Sequence, residues 1–439
     1  MVAQILFSMV LLTAIALFVR NVRRIVNAIS MGRPQSINDQ PALRWRKMLL
    51  VAIGQGKMVK RPISGFLHII VYVGFLLVNI EMIEIMIDGI FGTHRIFGIL
   101  GTPYNWLISG FEMLAIFVIV ACIIFLVRRN ILKVKRFQAV ELTTWPRIDA
   151  NIILLTEIIL MSALLIMNAA DTIILLRNCG IGVDCYSFLV SSLLLPIFNN
   201  LDTNTLIIIE RAGWWIHILG VLAFLNYIPY SKHFHIALAF PNVWFSKLQP
   251  NAAMPNMPEV TREVEIMMGS RPESDAIENQ GVFGAKDIVD LSWKNIMDSF
   301  ACTECGRCSA VCPANQTGKK LSPRKIMMDT RDRAEELSLF KRLHGADSHD
   351  GKSLLGNYIT AEEVWACTTC NACVEECPVT INQVSIILAL RRYMVMEQSA
   401  APSTINAMLT NIENNGAPWK YAAADRANWT KELYMNEVK

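Results

Sequence analysis

Five apolar runs, at roughly residues 2–19, 63–90, 107–127, 150–176 and 207–230, fill most of the first 240 residues of this 439-residue chain. Each approaches or exceeds the ~20 helical residues that cross a hydrocarbon core of about 30 Å. Lipid offers the backbone no hydrogen-bond partners, so runs of this kind cross as helices. The composition agrees: 53% of residues are hydrophobic, 18% are charged, and the mean hydropathy is +0.37, an apolar excess unlike that of a soluble domain. The first run lacks the basic n-region and small-residue cleavage site of a signal peptide, and its charges follow it, so it reads as a retained anchor. Membrane lipid is thus the first expected partner.

Lys and Arg number 41 against 37 Asp and Glu, too even a balance to point to a phosphate backbone, and no nucleic-acid partner is expected. The charge is unevenly spread. Residues 1–240 carry 20 basic and 12 acidic residues, whereas residues 241–439 carry 21 and 25, so two different bodies are joined. Sixteen of the first twenty basic residues lie between runs one and two or between runs three and four. Basic loops stay on the cytoplasmic side. The expected location is therefore a bacterial inner (cytoplasmic) membrane with the N-terminus outside and the C-terminal half in the cytoplasm. The outer loop holds Cys179 and Cys185, which are open to either a disulfide or two free thiols.

Ionisable residues within spans are functional candidates. His68 begins the second span, and His233 and His235 follow the fifth at the same side of the membrane. Antiparallel second and fifth helices would put His68 level with His235, the arrangement that holds a b-type haem between two neutral imidazoles. The competing account is a lone histidine hydrogen-bonded to a carbonyl. His217 lies eighteen residues before His235, about 27 Å of helix, and would suit a second haem. At its depth the second span offers only Met82 and Met86, for which packing is the simpler role. Glu81, Glu84, Asp88, Glu112, Asp171 and Glu210 cluster toward the outer half, as a proton route or quinone pocket would require, or as headgroup-level carboxylates would lie.

After a polar connector the chain reads CTECGRCSAVCP at 302–313 and CTTCNACVEECP at 367–378, both C-x2-C-x2-C-x3-C-P. This run wraps three thiolates around a cubane and sends its fourth cysteine to the other cluster. One [4Fe–4S] cluster is then held by Cys302, Cys305, Cys308 and Cys377, and the other by Cys367, Cys370, Cys373 and Cys312. Zinc is the competing ligand, but zinc sites favour two separated pairs of ligands. The 53 residues between the motifs read as helix, RKIMMDTRDRAEELSLFKRL being apolar along one face. No phosphate loop, dinucleotide fingerprint or nucleophile elbow is present, so the chain reads as an electron conductor.

The membrane half resembles the cytochrome b (gamma) subunit of respiratory nitrate reductase, in GFLHIIVYVGF and in WIHILGVLAFLNYIPYSKHFHI. The resemblance places His68, His217 and His235 on three of the family's four haem-ligand positions, the fourth being Val78 here. WKNIMDSFACTECGRCSAVCPANQTGKKLSPRKI and NNGAPWKYAAADRANW are similar to the ferredoxin part of heterodisulfide reductase and of anaerobic glycerol-3-phosphate dehydrogenase. Members of that family continue into a domain with CCG motifs, and this chain has no cysteine after Cys377. The resemblance therefore implies a separate CCG-domain iron–sulfur subunit as partner, with a flavoprotein as a further one.

The expected fold is all-α: a five-helix transmembrane domain over 1–240, a linker over 241–285 and a cytoplasmic helical dicluster ferredoxin domain over 286–439. The expected function is a membrane electron-transfer subunit. It links quinone and quinol, through haem b, to a soluble redox partner reached through the two clusters, and the catalytic centre lies on a partner subunit. The alternative is a redox sensor or scaffold without quinone turnover.

Overall fold

The computed structural model describes residues 1–178, 188–272 and 282–431. The protein is helical throughout, and the described residues contain no strand beyond isolated bridges. Among the described residues, five helices are long and apolar enough to cross a membrane: α1 (Val2–Ser30), α2 (Pro62–Phe91), α3 (Thr102–Leu126), α4 (Trp145–Asn178) and α5 (Thr203–Tyr227). Cys179 and Cys185 lie outside the described residues. Prolines open α2, α3 and α4 in the first turn, where the missing N–H costs nothing. Asp202 caps α5 by accepting from the Thr205 amide at 3.0 Å. At the far end of α2, Gly92 adopts φ 72° and its N–H returns to the Asp88 carbonyl, closing the helix.

The spans pack through an interior that lipid never reaches. Val78, Ala115, Val118, Cys122, Leu160 and Leu164 form one buried cluster among α2, α3 and α4. Phe7 of α1 packs with Met82, Ile85 and Ile218, its ring 5.5 Å from that of Trp214. Gly89 makes this approach possible, because a Cβ there would stand 2.5 Å from the Phe7 ring. The outward faces are apolar as well: Ile5, Leu6, Leu12, Phe66, Leu76 and Ile208 are exposed, as a bilayer-facing surface requires.

The chain divides into two compact units, Met1–Pro255 with Asp287–Ile387, and Asn256–Lys286 with Leu388–Lys439. In the first unit, α6 (His235–Trp244) follows the fifth span, α8 (Trp293–Phe300) precedes the first cysteine motif, and α9 (Pro323–His344) separates the two motifs. α7 (Pro258–Met267) belongs to the second unit. The cysteine-bearing body and the helical membrane body are stitched together within the first unit. Arg33, past the end of α1, donates its amide to the Leu291 carbonyl at 2.7 Å and accepts from the Trp293 amide at 3.1 Å. Lys60 meets Glu375 at 2.8 Å, Arg61 meets Glu376 at 2.9 Å, and the buried Arg324 meets Glu141 at 2.8 Å. In the second unit, α10 (Gln383–Met396) contributes its latter part, where the Ala389 carbonyl accepts from the Ala285 amide at 2.9 Å, and α11 (Ser403–Asn415) follows.

Candidate iron–sulfur and haem site

The two cysteine motifs adopt the same backbone. After the first cysteine of each, the second residue on is left-handed, Glu304 at φ 54° and Thr369 at φ 54°. So is the fourth, Gly306 at 71° and Asn371 at 59°. These positions turn the chain tightly enough to present three sulfurs to one side. A short helix then carries the third cysteine, and a proline follows the fourth.

Cys302, Cys305 and Cys308 line one cavity together with Cys377 of the other motif, closed by Pro378, Val379 and Ile381. The exchange is reciprocal. Burial, followed by the neighbouring charges of Cys367, Cys312 and Cys370, pushes the Cys373 thiol up to about 12. Burial, then Cys305, does the same to Cys377, which also reaches about 12. The last cysteine of each motif thus lies beside the thiols of the other, Cys377 with Cys302, Cys305 and Cys308, and Cys312 near Cys373. Backbone amides point at the sulfurs: Thr369 N–H to Cys367 Sγ at 3.3 Å and Ile381 N–H to Cys377 Sγ at 3.4 Å. Among the described residues, no three His, Cys, Asp or Glu side chains converge closely enough to hold a single metal ion. Cys302, Cys308, Cys312, Cys373 and Cys377 are buried, and Cys370 is exposed.

The histidine pair lies where the spans meet the cysteine-bearing body. The rings of His68 and His235 have centroids 6.4 Å apart and are tilted by 46°. Two metal–nitrogen bonds of about 2.0–2.1 Å, plus the inner halves of two imidazoles, span nearly that distance. His235 Nδ1 is 3.1 Å from the Lys232 carbonyl, which fixes the proton on Nδ1 and leaves Nε2 unprotonated and able to bind a metal. Burial holds the His235 imidazole below its ordinary range, in the neutral form that a metal binds. His68 Nδ1 is buried without a partner. His233 packs beside the pair, its ring 5.6 Å from that of His235.

His217 is elsewhere. It is buried in α5, with Nδ1 2.9 Å from the Leu160 carbonyl, and Val78, at the position expected of its partner, lies in the apolar cluster that contains Leu160. The acidic residues also separate by role. Glu112 accepts from Asn168 at 3.0 Å, from the Val190 and Ser191 amides at 2.8 and 3.1 Å, and from the Ser191 hydroxyl. It fastens the 188–198 segment to the bundle. Glu84 accepts from Tyr104 at 2.8 Å and from the Phe97 amide at 2.9 Å, and Asp171 pairs with Arg95 at 2.7 Å. Glu81 is 3% exposed and neither of its oxygens has a hydrogen-bond partner. It borders a cavity of about 380 Å³ walled by Phe7, Trp214 and Trp215.

Three residues beside the cysteines were not anticipated from the sequence. Lys232 Nζ lies 2.5 Å from Glu304, Arg331 binds the same carboxylate at 2.9 Å, and Arg307 reaches the Lys57 and Met58 carbonyls at 3.4 Å. Comparison of the two motifs could have singled out Glu304 and Arg307, where the second motif has Thr369 and Ala372, but not Lys232 or Arg331, which lie outside them.

Residues 301–381 match the family of 4Fe-4S dicluster domains. The chain is similar to the "Probable iron-sulfur-binding oxidoreductase FadF" of Bacillus subtilis, 28% identical over 99% of this chain and 61% of that protein. It is also similar to the EtfAB:quinone oxidoreductase of Syntrophomonas wolfei, 26% identical over 91% of this chain and 56% of that protein. A third relative is one of the subunits of the ferredoxin/F(420)H(2)-dependent CoB-CoM heterodisulfide reductase of Methanosarcina acetivorans, 33% identical over 27% of this chain and 60% of that protein. The chain thus spans about three-fifths of the length of these relatives. No solved structure matches it. The helical body that follows the five apolar helices therefore carries a 4Fe-4S dicluster domain, on a chain homologous to iron–sulfur oxidoreductases.

Proposed function

We propose that this chain is the membrane electron-transfer subunit of a quinone-linked oxidoreductase, with its N-terminus outside and its cysteine-bearing body in the cytoplasm. The observation that carries the proposal is the single cavity walled by Cys302, Cys305 and Cys308 of one motif and Cys377 of the other. Cys367, Cys370, Cys373 and Cys312 are the ligands we assign to the second cluster, and His68 and His235 those we assign to haem b. Bound there, these groups supply one-electron carriage, and the protein's part is to position them and tune their potentials.

The residues suit those tasks. Amides aimed at Cys367 and Cys377 stabilise negative charge on sulfur. The Lys232 carbonyl orients the His235 ring. Exposure at Cys370 makes the second motif the face on which a soluble partner receives or delivers electrons. Glu81 is the carboxylate of the acidic cluster left available for proton exchange with a quinone headgroup. A CCG-domain protein and a flavoprotein are the partners this wiring suits, since the relatives' names include a quinone oxidoreductase and a heterodisulfide reductase.

Iron, acid-labile sulfide and haem quantitation, with visible and EPR spectra taken before and after addition of a quinol analogue, tests the reading. About eight cluster iron atoms and one haem per chain are expected, with both cofactor types reduced by the quinol. Stoichiometric zinc at the cysteines, or no haem absorbance, would end it.

A further inference from the structure

The two cysteine motifs share spacing and backbone but not side chains. Glu304 and Thr369 occupy equivalent left-handed positions with the same φ. A threonine therefore suffices to build this loop, and the Glu304 carboxylate has another task. It is 5% exposed, and its partners are Lys232 and Arg331. Arg307 likewise reaches the Lys57 and Met58 carbonyls, where the second motif has only Ala372.

Lys232 is held from several sides. Its amide donates to Asp149 at 3.2 Å, and its ammonium donates to the Pro146 carbonyl at 2.6 Å as well as to Glu304. Asp149 in turn accepts from the Tyr227 hydroxyl at 2.5 Å. The Lys232 carbonyl accepts from His235 Nδ1. One residue therefore grips the imidazole with its main chain and the Cys302–Cys305 loop with its side chain. The ion pair is buried, so breaking it strands a charge and the register it fixes is well defined.

We infer that Lys232 is a positioning residue that locks the His235 ring and the Cys302–Cys305 loop into one geometry, making the first motif the one through which electrons pass between the bilayer and the second motif. This rests on the electron-transfer reading above. Glu304 is its counterpart: at this position of the loop the first motif holds Lys232, whereas the second motif has Thr369 there and meets Lys60 and Arg61 only through Glu375 and Glu376.

The test uses the full chain in detergent, as wild type and as Glu304→Thr, Lys232→Met, Lys232→Arg and the Glu304→Thr/Lys232→Met double variant. Three measurements are made: cofactor content, microwave power saturation of the reduced first-cluster EPR signal in the presence of oxidised haem, and the rate of haem reduction after the clusters are reduced. Glu304→Thr is expected to keep full iron, sulfide and haem, to saturate at lower power, and to slow haem reduction by about 10- to 100-fold, as small misplacements do. Lys232→Arg should stay near wild type, and the double variant should be no worse than the worse single one. Wild-type saturation and rate in Glu304→Thr would overturn the inference, and so would loss of the first cluster, since the carboxylate would then be serving the loop itself. If Lys232→Met fails to fold, Glu304→Thr decides alone. Wild-type protein without haem would instead sink the electron-transfer reading itself.

Discussion

The imidazoles of His68 and His235, one at the start of the second span and one just past the end of the fifth, stand with ring centroids 6.4 Å apart. They are 167 positions apart in sequence and meet because the two helices run antiparallel. Replacing either by alanine is expected to abolish b-type absorbance and leave the iron and sulfide content of the dicluster domain unchanged. Haem retained at full stoichiometry in both variants would remove this pair as ligands.

The crossed cysteines allow a sharper assignment. Cys377→Ser should perturb the EPR signal of the cluster otherwise held by Cys302, Cys305 and Cys308, and Cys312→Ser the signal of the other, although each mutated residue lies in the opposite motif. If Cys377→Ser instead disturbed only the cluster held by Cys367, Cys370 and Cys373, the crossing would be wrong.

His217 is not expected to bind iron. Its Nδ1 donates to the Leu160 carbonyl, which leaves Nε2 open as at His235, but Val78, the counterpart a second haem would need, carries no ligating atom and is packed in an apolar cluster. His217→Leu should therefore keep one haem per chain, while losing about 1–3 kcal/mol for the orphaned carbonyl. A fall in haem stoichiometry measured by pyridine haemochrome would contradict this.

Glu81 keeps two unpartnered oxygens against a cavity. Glu81→Gln retains the shape and removes the proton-accepting capacity, so quinol-driven reduction should slow by about 100-fold or more while reduction by dithionite is unaffected. Equal quinol rates in both proteins would take Glu81 out of any proton route.

Acid stability offers an independent check on the cysteine-bearing body. Hydrogen bonds from Arg333 hold the Asp350 carboxyl down to about 2, against an ordinary 3.8. The folded state thus binds this proton less tightly than the unfolded state. The stabilisation is present above about pH 3.8 and is lost as pH falls through about 2. In denaturant titrations, the gap between wild type and Asp350→Asn should close across that window, and a gap of constant size down to pH 2 would count against the pairing.

Much of this was legible in the sequence, and the remainder illustrates where pattern reading stops. Apolar runs announce spans because lipid tolerates little else, yet they mark the ends poorly. α1 continues through Arg20, Arg23 and Arg24 to Ser30, because a helix leaving the bilayer can go on with a polar surface. The cysteine spacing was readable because each motif sets four cysteines within a dozen residues. Lys232 and Glu304 are 72 positions apart and carry no local pattern. Glu112 resembled the rest of the acidic cluster in sequence, but the donors that occupy it come from Asn168, Val190 and Ser191, which only the packed bundle brings near.

The two main-chain hydrogen bonds that join Arg33 to Leu291 and Trp293, one donated by the Arg33 amide and one accepted by its carbonyl, impose an order on biogenesis. The ribosome must add roughly 250 residues after Arg33 before its partners exist, which at 5–20 residues per second is about 10–50 s. Throughout that interval the tail of the first helix waits bare beside the membrane. The seam between the two halves therefore cannot begin to close until residue 293 has been made, just before the first cysteine motif at 302–313 is added.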